Sequence, residues 1–161
     1  MNVKTTTPAY AADPLPLVRS RWLDFVELTK PRIALMVLFT VGIGALLACR
    51  GPIDVLQLLH ALIGTALTAA GASALNQWLE RTTDAQMRRT ENRPLPAGRL
   101  SAGEVVVFGF TLGIAGLVYM AVLLNHVLPT ILTAATFFSY VFVYTPLKRK
   151  TTLNTWPSLQ P

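Results

Sequence analysis

The chain has 161 residues, 52% apolar and 14% charged, with a mean hydropathy of +0.47 and a formal net charge of +6. That balance excludes an ordinary soluble domain, which disperses its charges; here they are bunched between long uncharged runs. Nucleic-acid binding is excluded on the same ground, because the basic residues flank apolar spans and no recognition module is visible.

Residues 1–28 read as a leader, disordered over "TTTPAYAADPLPL" and then interfacial. No cleavable signal peptide is expected, since the first useful apolar run begins only after residue 32. Thr29 is the expected N-cap, and Pro31 an early position, of a first membrane helix with its uncharged run from Ile33 to Cys49. That run falls just short of the ~20 residues that cross the bilayer, so Lys30 and Arg32 are expected to snorkel from its end. A second span runs from Val55 to Leu79, and two more divide Val105–Leu147 at a turn over Leu124 to Pro129. Small residues predict close helix contacts: Gly64, Thr68 and Ala72 in a row on the second span, Gly109 with Gly113 on the third. Ser101 and Glu104 have the spacing of a capping box for that third helix. The lone Cys49 excludes an intrachain disulfide and reads as a packing residue. Imidazole suits iron, but His60 and His126 fall near span ends, where helix-end or packing roles fit better. No internal repeat is evident.

Arg19, Arg21, Lys30 and Arg32 precede the first span, five arginines lie between the second and third, and Lys148, Arg149 and Lys150 follow the fourth. Only Arg50 falls in the two other loops. The positive-inside rule therefore places both termini and the arginine-rich loop in the cytoplasm. The expectation is an all-α, multi-pass cell-membrane protein with four transmembrane helices and lipid as a partner.

Between the second and third spans stands the stretch "ALNQWLERTTDAQMRRTENRPLPAGR". On a helix its Asn76, Glu80 and Asp84 recur at i, i+4 and i+8 and lie near one line, drifting about 40° per step. Two carboxylates so placed can share a cation, and Arg81, Arg88, Arg89, Arg93 and Arg99 can match the oxygens of a phosphate brought in with it. A magnesium-bound diphosphate at a membrane surface would satisfy both sets. The duller reading is of surface ion pairs such as Asp84 with Arg88, worth only ~0.3–0.5 kcal/mol. On the residues alone the two readings stand side by side. The motif helix is expected to stop near Glu91 to Arg93, ahead of Pro94, Pro96 and Gly98, with residues 80–103 forming a cytoplasmic loop.

Three segments, "TKPRI", "NQWLERTTDAQMRRTENRPLPAGR" and "YTPLKRKTTLNT", together resemble the N-terminal half of the protoheme IX farnesyltransferase (haem O synthase) family, within the intramembrane aromatic prenyltransferase superfamily. The resemblance covers Trp22 to Asn154 and implies a partial prenyltransferase helical bundle over residues 29–150. The implied activity is transfer of a farnesyl group from farnesyl diphosphate to a vinyl group of haem B, giving haem O and diphosphate for terminal oxidases. The resemblance implies catalytic roles for Asn76, Glu80 and Asp84, with magnesium on Glu80 and Asp84. It implies diphosphate contacts from Arg88, Arg89 and Arg93, and from Tyr144 with Lys148 as a YxxxK pattern. Glu80 stands where the superfamily commonly has aspartate, and a longer carboxylate can still reach a metal. Magnesium and basic side chains would stabilise charge building on the departing diphosphate. Relatives that prenylate a quinone precursor or chlorophyllide share this donor chemistry and form an alternative; a non-catalytic four-helix membrane fragment is another. Family members continue with further helices and a second acidic motif, whereas this sequence reads "NTWPSLQP" after residue 153, so residues 151–161 are expected to be an aberrant or truncated tail. Little or no transferase activity is expected of the 161 residues by themselves.

Overall fold

The computed structural model describes residues 20–49, 51–88 and 90–144. Two helices open it, α1 (Arg21–Thr29) and α2 (Pro31–Ala48), separated only by Lys30 in the left-handed conformation at φ 48° and ψ 65°. Pro31 fixes the break there. It has no N–H with which to extend α1, its φ suits the first residue of a new helix, and it disfavours the right-handed α region for the residue before it. Left-handed backbone costs a residue with a Cβ roughly 1–2 kcal/mol, so neighbouring contacts must hold the break in place. Leu28 is fully buried, and the Gln77 side-chain amide donates to its carbonyl at 2.9 Å. Thr29 is not the N-cap of α2: its hydroxyl donates to Val26 O within α1 at 2.8 Å, and Lys30 holds the cap position without a side-chain bond. The end of the expected leader is thus a helix packed on the bundle.

Helix α3 (Val55–Asp84) starts at Asp54, whose carboxylate accepts from the Leu56 and Gln57 N–H groups at 3.0 and 3.1 Å. Helix α4 (Ala102–Leu123) begins with the expected capping box. The Ser101 hydroxyl accepts from Glu104 N at 3.3 Å, and the Glu104 carboxylate accepts from Ser101 N at 2.8 Å. Ser101→Ala is expected to destabilise the protein by about 1 kcal/mol, read as a lower thermal midpoint in detergent. Helix α5 (Val127–Phe138) runs on into a wider π-helical segment, Ser139–Tyr144. Among the described residues there is no strand. Four helical segments, Arg21–Ala48, Val55–Asp84, Ala102–Leu123 and Val127–Tyr144, are long and apolar enough to cross a membrane. The chain is an all-α, multi-pass membrane protein.

Its surface agrees with that setting. Helix α2 buries no residue, and Phe39 and Leu47 on it are 71% and 83% exposed. Facing water this would be a liability, whereas lipid tails are as apolar as leucine. The tight contact is between antiparallel α3 and α4. A Cβ on Gly71 would lie 2.5 Å from Gly109 O and Gly113 N, and one on Gly116 would lie 2.5 Å from Thr68 Oγ1. The small-residue row on α3 is therefore Gly64, Thr68 and Gly71, facing Gly109, Gly113 and Gly116 on α4. Ala72, expected in that row, has drifted off it and lines a cavity instead. Helix α5 lays Phe137 against Gly113, and the ring joins Leu75 and Val141 in a buried cluster. Cys49 does not pack inside: it is exposed at the end of α2, its thiol donating to Gly51 O at 3.1 Å. His60 Nδ1 lies 2.9 Å from the Tyr119 hydroxyl, tying α3 to α4, and His126 caps the start of α5.

Candidate functional site

Helix α3 ends at Asp84, not near Glu91 to Arg93. The Thr90 hydroxyl captures the Asp84 carbonyl at 2.8 Å, and a run of turns follows. Pro94 accepts from both Arg99 N and Leu100 N, and Gly98 supplies a positive φ of 69°, as the proline and glycine spacing predicts. Leu95 and Leu100 are drawn into a buried cluster with Leu28, Ala74 and Val105. The loop is thus pinned beneath α1 rather than extended from the helix, and one of its basic residues, Arg93, reaches Asp84 by folding back.

The acidic row forms as the spacing predicts. Asn76 Nδ2 donates to Glu80 Oε2 at 3.1 Å, and Asp84 lies one turn further along. Asn76 and Asp84 are each only 5% exposed. Arg93 Nη1 donates to Asp84 Oδ2 at 2.5 Å, closing the folded-back loop onto the row. Among the described residues no three His, Cys, Asp or Glu converge. Magnesium does not need three: it takes one or two carboxylates and completes its shell with water and phosphate oxygens. Two carboxylates and an amide oxygen on one helix face are a donor set that fits it.

The other predicted basic residues divide. Arg88 and Arg81 are exposed and have no ion-pair partner among the described residues. Arg99 faces away from the acids: it donates to Asp24 Oδ1 and Asn92 O, each at 2.6 Å, and to Glu27 Oε2 at 3.4 Å. Its work is structural, locking the loop to α1. Asp24→Ala would leave that guanidinium three-quarters buried without its main partner. We expect a loss of about 2–3 kcal/mol and faster amide exchange over residues 90–100. Arg89 and Lys148 lie outside the described residues. Tyr144 is exposed and stacks on Tyr140, ring centroids 5.6 Å apart.

Beside the row lies an apolar cavity of about 550 Å³ between α2, α3 and α5, within the range of small-molecule sites. Ile33, Val37, Ala72 and Phe137 supply its apolar wall, and Lys30, Ser73 and Tyr140 are among its few polar residues. Ser73 precedes Asn76 by one turn of α3, so the cavity lining ends one turn from the start of the acidic row. Sequence reasoning assigned Lys30 to the lipid interface and passed over Ser73 and Tyr140. The signal available was that Ser73, Asn76 and Glu80 fall at i, i+3 and i+7 on one helix face.

A family model described as the UbiA prenyltransferase family matches residues 37–159. The chain is 47% identical over 141 residues to a protein named protoheme IX farnesyltransferase from Solibacter usitatus, covering 82% of this chain and 48% of that one. It is 42% identical over 134 residues to one of that name from Opitutus terrae (83% and 45%), and 41% over 140 residues to one from Shewanella oneidensis (86% and 46%). It spans about half the length of these relatives. No solved structure matches it. The matched residues make up most of the chain and the identities are high: the chain belongs to the UbiA prenyltransferase family.

Proposed function

We propose that this chain carries the donor-binding part of a membrane-embedded farnesyltransferase that joins farnesyl diphosphate, haem B and water to give haem O and diphosphate. One observation carries the reading: the row Asn76, Glu80, Asp84, with Asn76 and Asp84 buried, continues along α3 from Ser73, which lines a 550 Å³ apolar cavity. A molecule that is hydrocarbon at one end and polyanion at the other fits that junction. The relatives' printed name supplies the acceptor, haem, and the farnesyl donor. The cavity takes the farnesyl chain and excludes water from it. Arg93, held at the row by Asp84, is placed to meet phosphate oxygens. Magnesium on Glu80 and Asp84 would neutralise charge on the diphosphate, so that the allylic C–O bond ionises with its electron pair leaving on the phosphate oxygen. The positive-inside distribution of lysine and arginine puts this end of the bundle, with both termini, in the cytoplasm.

The test is binding of farnesyl thiodiphosphate, which resists ionisation, to the detergent-purified chain. Affinity should require magnesium, and inorganic diphosphate should compete. Equal affinity in excess chelator would overturn the metal-dependent reading.

A further inference from the structure

Lys30 is the one non-glycine residue with a positive φ among the described residues. Backbone strain of this kind collects at functional sites, and here the strained residue lines the cavity, as does Ser73. Ser73 Oγ is buried and has no hydrogen-bond partner among the described residues. A buried hydroxyl without a partner is disfavoured unless a ligand or water completes it. Lys30, at the break between α1 and α2, and Ser73, on α3 one turn before Asn76, line the same cavity from separate segments. A farnesyl diphosphate in this site has its C–O bond at that same junction, with carbon on the cavity side and phosphorus on the side of the acids.

We propose that Lys30 and Ser73 bind the phosphate nearest the farnesyl chain, the ammonium as a charged donor and the hydroxyl as a neutral one, leaving the outer phosphate to Arg93 and the acidic row. The left-handed turn at Lys30, anchored by Gln77 on Leu28 O, keeps this residue in the cavity lining. This assignment rests on the diphosphate reading above.

Glycine separates the two roles of Lys30, because it adopts a positive φ without strain and carries no charge. Lys30→Gly should therefore keep or raise the thermal midpoint while weakening farnesyl thiodiphosphate binding by at least about tenfold in the presence of magnesium; binding of farnesol, which lacks phosphate, should change less than about twofold. Lys30→Arg should recover most of the affinity. Ser73→Ala should weaken the diphosphate ligand a few-fold and leave the thermal midpoint unchanged or higher, since it removes an unpaired buried group. Unchanged farnesyl thiodiphosphate affinity in Lys30→Gly would overturn the assignment while leaving the donor-site reading intact. Equal losses for farnesol and the diphosphate would also overturn it, by showing that the turn only shapes the cavity. If the wild-type chain binds neither farnesyl thiodiphosphate nor inorganic diphosphate, the donor-site reading falls and this assignment with it.

Discussion

Asp84→Asn is expected to lower the magnesium-dependent affinity for farnesyl thiodiphosphate by at least roughly 10- to 100-fold, or about 1.4–2.8 kcal/mol. The side chain keeps its size and an acceptor oxygen but loses its charge, and charge is what a hard divalent cation requires. The same change should act in the opposite direction without metal. Asp84 then only competes with the anion for Arg93, which donates to it, and it repels the diphosphate. Freed of that carboxylate, Arg93 should hold inorganic diphosphate slightly more tightly in chelator than it does in the wild type. Titrations with and without magnesium should therefore cross. A variant weakened equally in both conditions would show that Asp84 acts by holding the loop and not by holding a metal. Because Asp84 is buried, a stability loss of about 1–3 kcal/mol accompanies the change, so both affinities are to be measured well below the variant's thermal midpoint.

Gly71→Val should disrupt the α3–α4 contact and is the most destabilising single change expected in the membrane part. Its Cβ would fall 2.5 Å from both Gly109 O and Gly113 N, which are backbone atoms that no rotamer change can move aside. Either the helices separate, losing their close approach, or the clash is kept; overpacking costs about 1–3 kcal/mol for extra methylenes in general, and rigid backbone on the far side places this site at or above that range. Gly113→Ala offers the contrast. Its Cβ would meet the Phe137 ring at 2.5 Å, a side chain that can shift, so the loss should be smaller. Denaturant unfolding of the two variants in the same micelle checks the order. A Gly113→Ala loss that exceeds the loss from Gly71→Val would mean that the α3–α4 contact is looser than its geometry shows.

Much of this was legible in the residues themselves. Apolar runs of membrane-crossing length, the Ser101–Glu104 box and the i, i+4, i+8 spacing of Asn76, Glu80 and Asp84 each depend on local periodicity, and all three appear in the fold. The end of α3 was not legible, because Asp84 to Arg93 has no strong breaker of its own. The helix stops early since Thr90 takes the Asp84 carbonyl and Leu95 and Leu100 bury against α1, and these are gains from partners distant in sequence.

The arginines show the same division. All five share a loop and a charge, so sequence alone treats them as one anion-binding set. Burial separates them: Asp24, on a helix far away in the chain, withdraws Arg99, and Asp84 takes Arg93. Lys30 is the sharpest case. Beside Pro31 its residue type suggests only a snorkelling end, and nothing local reveals a left-handed turn facing a cavity formed by α2, α3 and α5. The sequence by itself determined membrane residence, the four apolar spans and the spacing of the acidic row, because hydrophobic length and helical period act within one segment. Tertiary structure alone decided which cations meet the acidic row or line the cavity, because an ion pair or a cavity wall forms only between segments that packing brings together.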